Sequence, residues 1–77
     1  MTLNIISAED TVFTGEVTSV TLPGTKGSFT VLRNHASLIS TLSDGKISYV
    51  ADGNVVELPI SGGLVNVDNN VVSVCIY

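Results

Sequence analysis

Apolar side chains recur at every second position almost from one end of this chain to the other, and Gly, Pro, Asn and Asp interrupt them at short intervals. A period of two puts alternate side chains on opposite faces of an extended backbone, so each stretch reads as a half-buried β-strand rather than a helix. Strands are predicted over Leu3–Ser7, Val12–Gly15, Val17–Leu22, Gly27–Val31, Leu38–Leu42, Lys46–Ala51, Val55–Ile60, Leu64–Val67 and Val71–Ile76. Val56, Leu58 and Ile60 share one face, as do Val65 and Val67, and again Val72, Val74 and Ile76; these faces are the expected core. "ADGN" at Ala51–Asn54 carries the Asp-Gly hairpin signal, and "VDNN" at Val67–Asn70 is rich in residues that tolerate positive φ. Both are read as tight antiparallel hairpins. Two packed antiparallel sheets are the simplest way to bury so many half-apolar strands.

Composition agrees with a folded β-protein. Hydrophobic residues make up 44% and charged residues 13% of the 77, which is the balance of a globular chain rather than a disordered one. Val and Ile dominate the apolar set and Thr is plentiful, and β-branched side chains favour strands. A domain this small buries only roughly 60% of its unfolded surface, so a binding partner would add stability. The net charge is -4, and the three cations, Lys26, Arg33 and Lys46, are too few to neutralise a nucleic-acid backbone or an anionic membrane surface. Nucleic-acid binding and direct membrane insertion are therefore not expected. No run approaches the ~18 apolar residues of a membrane span, and "MTLNIISAED" lacks the basic and apolar regions of a signal peptide. The lone Cys75 excludes an internal disulfide and makes a cytoplasmic setting the default expectation.

The richest chemistry lies in "LPGTKGSFTVLRNHASLI", Leu22–Ile39, which holds two of the cations and the only histidine. A phosphate-binding loop needs Gly-x-x-x-x-Gly-Lys-Ser/Thr leading into a helix, whereas here Lys26 precedes Gly27 and a strand follows. The residues read instead as a Pro-Gly turn with a glycine at the strand entrance. His35 could serve as a base only with a serine or Cys75 as nucleophile and a carboxylate such as Asp44 to orient it, and no signature of such a triad is present. One His and one Cys forty residues apart give no metal-ligand spacing. Asp44, Asp52 and Asp68 sit beside Gly or Asn, where turn chemistry explains them. No catalytic, cofactor-binding or metal-binding residue is assigned. The residues by themselves describe a small acidic β-sandwich without an active site. An interaction module is the leading reading, a free-standing module binding a small ligand or another assembly through its Gly-rich loops is the alternative, and an enzyme built on His35 and Cys75 comes third.

A resemblance sharpens this. Phe13-x-Gly15, Leu22-Pro23-Gly24-x-x-Gly27, His35-Ala36-x-Leu38 and Ser61-Gly62-Gly63 before an alternating strand occur in the order and spacing of one family. In these motifs the chain resembles the N-terminal domain of the epsilon subunit of the F-type ATP synthase, the counterpart of the mitochondrial delta subunit. The likeness runs over essentially all 77 residues. It implies a ten-stranded antiparallel β-sandwich forming a single small domain over residues 1–77. It also implies a non-catalytic central-stalk subunit, without cofactor, that binds the gamma subunit and the polar loops of the c-ring to couple rotation to ATP synthesis. That setting would be the cytoplasmic face of a bacterial inner membrane. Carried over by position, Ser7, His35 and Ser40 are the gamma-facing residues, and Lys26, Gly27, Ser28 and Phe29 with Arg33 face the c-ring.

Four departures stand out. Arg33-Asn34 replaces the Pro-Gly that commonly precedes the histidine, and Asn is the best non-glycine residue where φ is positive. Ser37 replaces a common proline and Thr30 a common glycine. In most bacterial members a two-helix domain follows the sandwich; this sequence stops after Val71–Tyr77, so that hairpin is expected to be absent.

Overall fold

The computed structural model describes all residues from Met1 to Tyr77. Nine strands form, one on each predicted segment: β1 Thr2–Ile6, β2 Thr11–Glu16, β3 Ser19–Gly24, β4 Gly27–Leu32, β5 Leu38–Leu42, β6 Gly45–Ala51, β7 Asn54–Ile60, β8 Gly63–Asp68 and β9 Val71–Ile76. They run in the order β2-β1-β9-β8-β5 and then β3-β6-β7, with β4 on the other side of β3. The sheet curls into two layers, since β5 meets β3 through a single residue pair, Gly24 with Leu42. At that corner the edge of β3 changes partner, because Ser19–Thr21 pair with β6. The amide of Thr25 donates to the Thr41 carbonyl (3.1 Å) and that of Ser43 to the Pro23 carbonyl (2.8 Å), extending the seam.

The all-β single domain is as expected, with two differences in detail. The tenth strand does not form: the longest connections, between β1 and β2 and between β4 and β5, are folded into turns by hydrogen bonds from Ser7 N–H to Asp10 O and from His35 N–H to Leu32 O. Nor is every pair antiparallel. The first strand lies parallel to the last, Leu3 opposite Val72 and Ile5 opposite Val74. A parallel pair needs a long crossover, and the rest of the chain supplies it.

Local chemistry sets the turns. Asp52 and Gly53 have φ of 51° and 75°, and Asn69 and Asn70 have 50° and 62°, the paired positive values that a two-residue type I′ hairpin demands. The third hairpin corrects the Pro-Gly reading: Pro23 and Gly24 remain in β3, and the turn is Thr25–Lys26. Pro23 stands opposite Ser28 at a position where the β3–β4 ladder requires no N–H from it, so its missing donor costs that ladder nothing. Gly24 is needed for space, since a Cβ there would lie 2.7 Å from the Gly27 carbonyl oxygen and 2.9 Å from the Phe29 ring.

Between the layers Leu3, Ile5, Val20, Leu22, Val31, Ile47, Val65 and Val72 are fully buried, and no polar side chain is buried with them. Each such aliphatic side chain contributes roughly 1.5–3 kcal/mol relative to exposure. The Phe13 and Tyr49 rings close one end with centroids 4.6 Å apart. Ile60, Val65, Val67, Val72 and Val74 are in the core as expected. Val56 is not: it is 39% exposed, and Leu58 and Ile76 are half-buried. β7 is an outer strand with only β6 as ladder partner, so the other layer does not reach all of its inward face.

Gly63 begins β8 opposite Ile76 at the end of β9, and a Cβ there would collide with the Cys75 carbonyl oxygen. Backbone cannot rotate away as a side chain can. Gly63→Ala is expected to cost about 1–3 kcal/mol, seen as a fall in melting temperature on the order of 5–20 °C for a domain of this size.

Candidate docking surface

The strands deliver the polar residues to two opposite ends. One end carries the Thr25–Lys26 turn with Ser43 and Asp44, tied together by the Thr25–Thr41 hydroxyl pair (2.8 Å) and by Ser43 Oγ donating to Pro23 O (3.2 Å). Lys26, Gly27 and Ser28 are exposed there, while Phe29 is half-buried and packs on the core. Arg33 is not among them. It follows β4, whose six residues separate it from Lys26 by roughly 20 Å at the rise of an extended strand.

Arg33 lies at the other end, in a hollow of about 280 Å³ shared with Met1, Glu16, Val17, Thr18 and the Asp52–Gly53 turn. The Glu16 carboxylate accepts hydrogen bonds from the N-terminal ammonium (3.1 Å) and from Thr2 Oγ1 (2.9 Å). Those bonds, the ammonium's first, and then the ammonium's charge hold the Glu16 pKa below its ordinary value.

The residues expected to face gamma are also spread out. Ser7 follows β1, and its hydroxyl closes the turn by accepting from Asp10 N–H at 3.2 Å. Ser40 is half-buried on the core-side phase of β5, and its hydroxyl donates to Thr41 O (3.0 Å). His35 is half-buried in the loop from β4 to β5, with Nδ1 2.7 Å from Ala36 O. A carbonyl only accepts, so Nδ1 carries a hydrogen, and the neutral tautomer compatible with that bond has its lone pair on Nε2. Asn34 has φ of 64°, so it adopts the left-handed geometry expected of the residue replacing glycine.

One surface was not anticipated. On the outer side of β1, β9, β8 and β5, cross-strand pairing aligns Ile6, Cys75, Leu64 and Thr41 in one row and Asn4, Ser73, Asn66 and Ile39 in the next. No charge interrupts either row. Leu64 and Ile6, each 45% exposed, line a depression of about 310 Å³ with Asn4, Asn66 and Ser73, and Ile39, outside it at the end of the second row, is 71% exposed. The signal was present in the sequence as apolar residues on the phase of each strand that faces away from the core. No group of three or more His, Cys, Asp and Glu side chains is placed to hold a metal ion.

These features define a small β-sandwich presenting an uncharged sheet face between two polar ends. The family model for the ATP synthase Delta/Epsilon chain beta-sandwich domain matches residues 1–76, and the chain belongs to that family. The ATP synthase epsilon chain of Desulfitobacterium hafniense is 41% identical over 73 residues, covering 95% of this chain and 55% of the relative. That of a Nitratiruptor species is 45% identical over 69 residues, covering 88% and 54%. This chain thus spans about half the length of the curated relatives it matches. Among solved structures, a chain of the Euglena gracilis mitochondrial ATP synthase superposes with a TM-score of 0.89 at 23% identity, over 96% of this chain and 48% of that one. A chain from the central stalk and c-ring structure of the Tetrahymena thermophila mitochondrial ATP synthase gives 0.83 at 11% identity, over 97% and 61%. Both likenesses establish the fold.

Because the folded-state pKa of Glu16 lies below the unfolded one, its contribution to stability is present above the unfolded value and is lost as pH falls through the folded one. Glu16→Gln is expected to melt below wild type at neutral pH and to match it in acid, measured by circular-dichroism melts at both.

Proposed function

We propose that this domain is a non-catalytic central-stalk component of an F-type ATP synthase, docking on the gamma subunit and touching the polar loops of the c-ring so that ring rotation is coupled to ATP synthesis. Family membership over residues 1–76 carries the reading. The uncharged outer face supports it, since charged residues are depleted from the centre of protein interfaces. In this reading the gamma-facing surface runs from Ser7 across the Ile6–Leu64 face toward His35, with Thr41 and Ile39 at the β5 side; Ser40, on the opposite phase of β5, lies outside it. The Lys26–Phe29 hairpin meets the c-ring. Arg33, at the far end of β4, belongs with the His35 end instead of with that hairpin. The domain would sit at the cytoplasmic face of a bacterial inner membrane, held there by the complex.

The test is capture of purified gamma by the tagged chain; a chain that never binds gamma sinks the proposal. Leu64→Asp is expected to lower gamma affinity about tenfold or more with the fold intact. His35→Ala should cost about 0.5–1.5 kcal/mol, the contribution of one polar contact. Lys26→Glu and Arg33→Glu should each change stability by less than about 0.5 kcal/mol. Only Lys26→Glu should impair attachment of the reconstituted stalk to the c-ring, read by co-sedimentation.

A further inference from the structure

The loop that crosses from one layer to the other, Asn34–Ser37, faces the β8–β9 turn, Asp68–Asn70, across an open hollow of about 470 Å³. Two left-handed asparagines clamp its walls together. The Asn34 N–H donates to Asn70 Oδ1 (2.7 Å), and Asn70 Nδ2 donates back to Asn34 Oδ1 (3.2 Å). Ser37 Oγ donates to Asp68 Oδ1 (2.7 Å), and Thr2 N–H donates to Asn70 O (2.9 Å), which anchors the turn to β1. The loop is therefore held before anything binds.

The same bonds decide what remains available. Asn34 and Asn70 occupy each other's Oδ1, and with His35 Nδ1–H engaged by Ala36 O the neutral tautomer keeps Nε2 as an acceptor. Asp68 Oδ2 and the Asn69 side chain make no hydrogen bond within the chain. A free carboxylate oxygen, the hollow's only charge, and an imidazole nitrogen thus belong to its lining, beside the unbonded side-chain amides of Asn34 and Asn69. No cation of this chain fills it: Arg33 lines the separate hollow with Glu16 and Asp52, Lys46 pairs with Glu57 (3.7 Å), and Lys26 is at the far end.

We propose that this hollow is a preformed receptor for a basic side chain, arginine or lysine, projecting from the protein on which the domain docks. The partner residue donates to Asp68 and to His35 Nε2, and the Asn34–Asn70 clasp removes the ordering that such a contact would otherwise require. This deepens the docking reading and rests on it only for the identity of the partner.

Two measurements on the full chain test it. N-acetyl-arginine amide, titrated with NMR detection, is expected to give saturable shifts confined to Asp68–Asn70 and the His35 ring, and Asp68→Asn, which retains an acceptor for Ser37, should abolish them. Shifts that are absent, scattered or unchanged in Asp68→Asn overturn the proposal whatever gamma does. Against purified gamma, Asp68→Asn should weaken binding about 2- to 10-fold and flatten its salt dependence; wild-type affinity with wild-type salt dependence overturns it as well. If the probe binds but the wild-type chain does not capture gamma, the receptor stands and the rotor reading falls.

Discussion

Apolar contact between the two layers holds this molecule together, because backbone hydrogen bonds join them only at the corner where β3 meets β5. Everywhere else the layers touch through Leu3, Ile5, Val20, Leu22, Ile47, Val65 and their neighbours. The corner works because Gly24 offers no Cβ to the Gly27 carbonyl, so the strand can run straight into its partner change. Alternation then settles the rest. Once one phase of each strand is buried, a one-residue slip would expose the whole core, so register is firmly specified.

That economy shapes the surface. With all the large buried side chains between the layers, the outward phase is free to carry other information, and on β1, β9, β8 and β5 it carries Ile6, Leu64, Ile39, Cys75 and small polar side chains instead of charges. The carboxylates and cations are displaced to the ends, where turns hold them. Such a division suits a surface that docks: a neutral centre excludes water, and charges at the rim steer approach.

Most of the fold was legible from periodicity and turn chemistry. All nine strands formed on their predicted segments, and the Asp52–Gly53 and Asn69–Asn70 turns took the positive φ that their residues imply. The Pro23–Gly24 pair misled because the same dipeptide that favours a turn also suits a strand at a corner with no need of an N–H. Val56 misled because alternation reports which face a residue is on and not whether another layer covers that face. For the site, local signals identified Asn34 as a left-handed residue but could not pair it with Asn70, thirty-six positions away. The family resemblance also grouped Lys26 with Arg33, although the strand between them carries them to opposite ends.

The sequence by itself determined the all-β class, the strand positions, the hairpin types and the family, since these depend on side-chain period, on φ preferences at single residues and on motif order. Tertiary structure alone decided the parallel contact of β1 with β9, the corner at Gly24, the neutral outer face and the hollow clasped by Asn34 and Asn70. Each of these joins residues far apart in the chain. Their proximity is set by how the two layers fold over one another to bury the core, which no local stretch encodes.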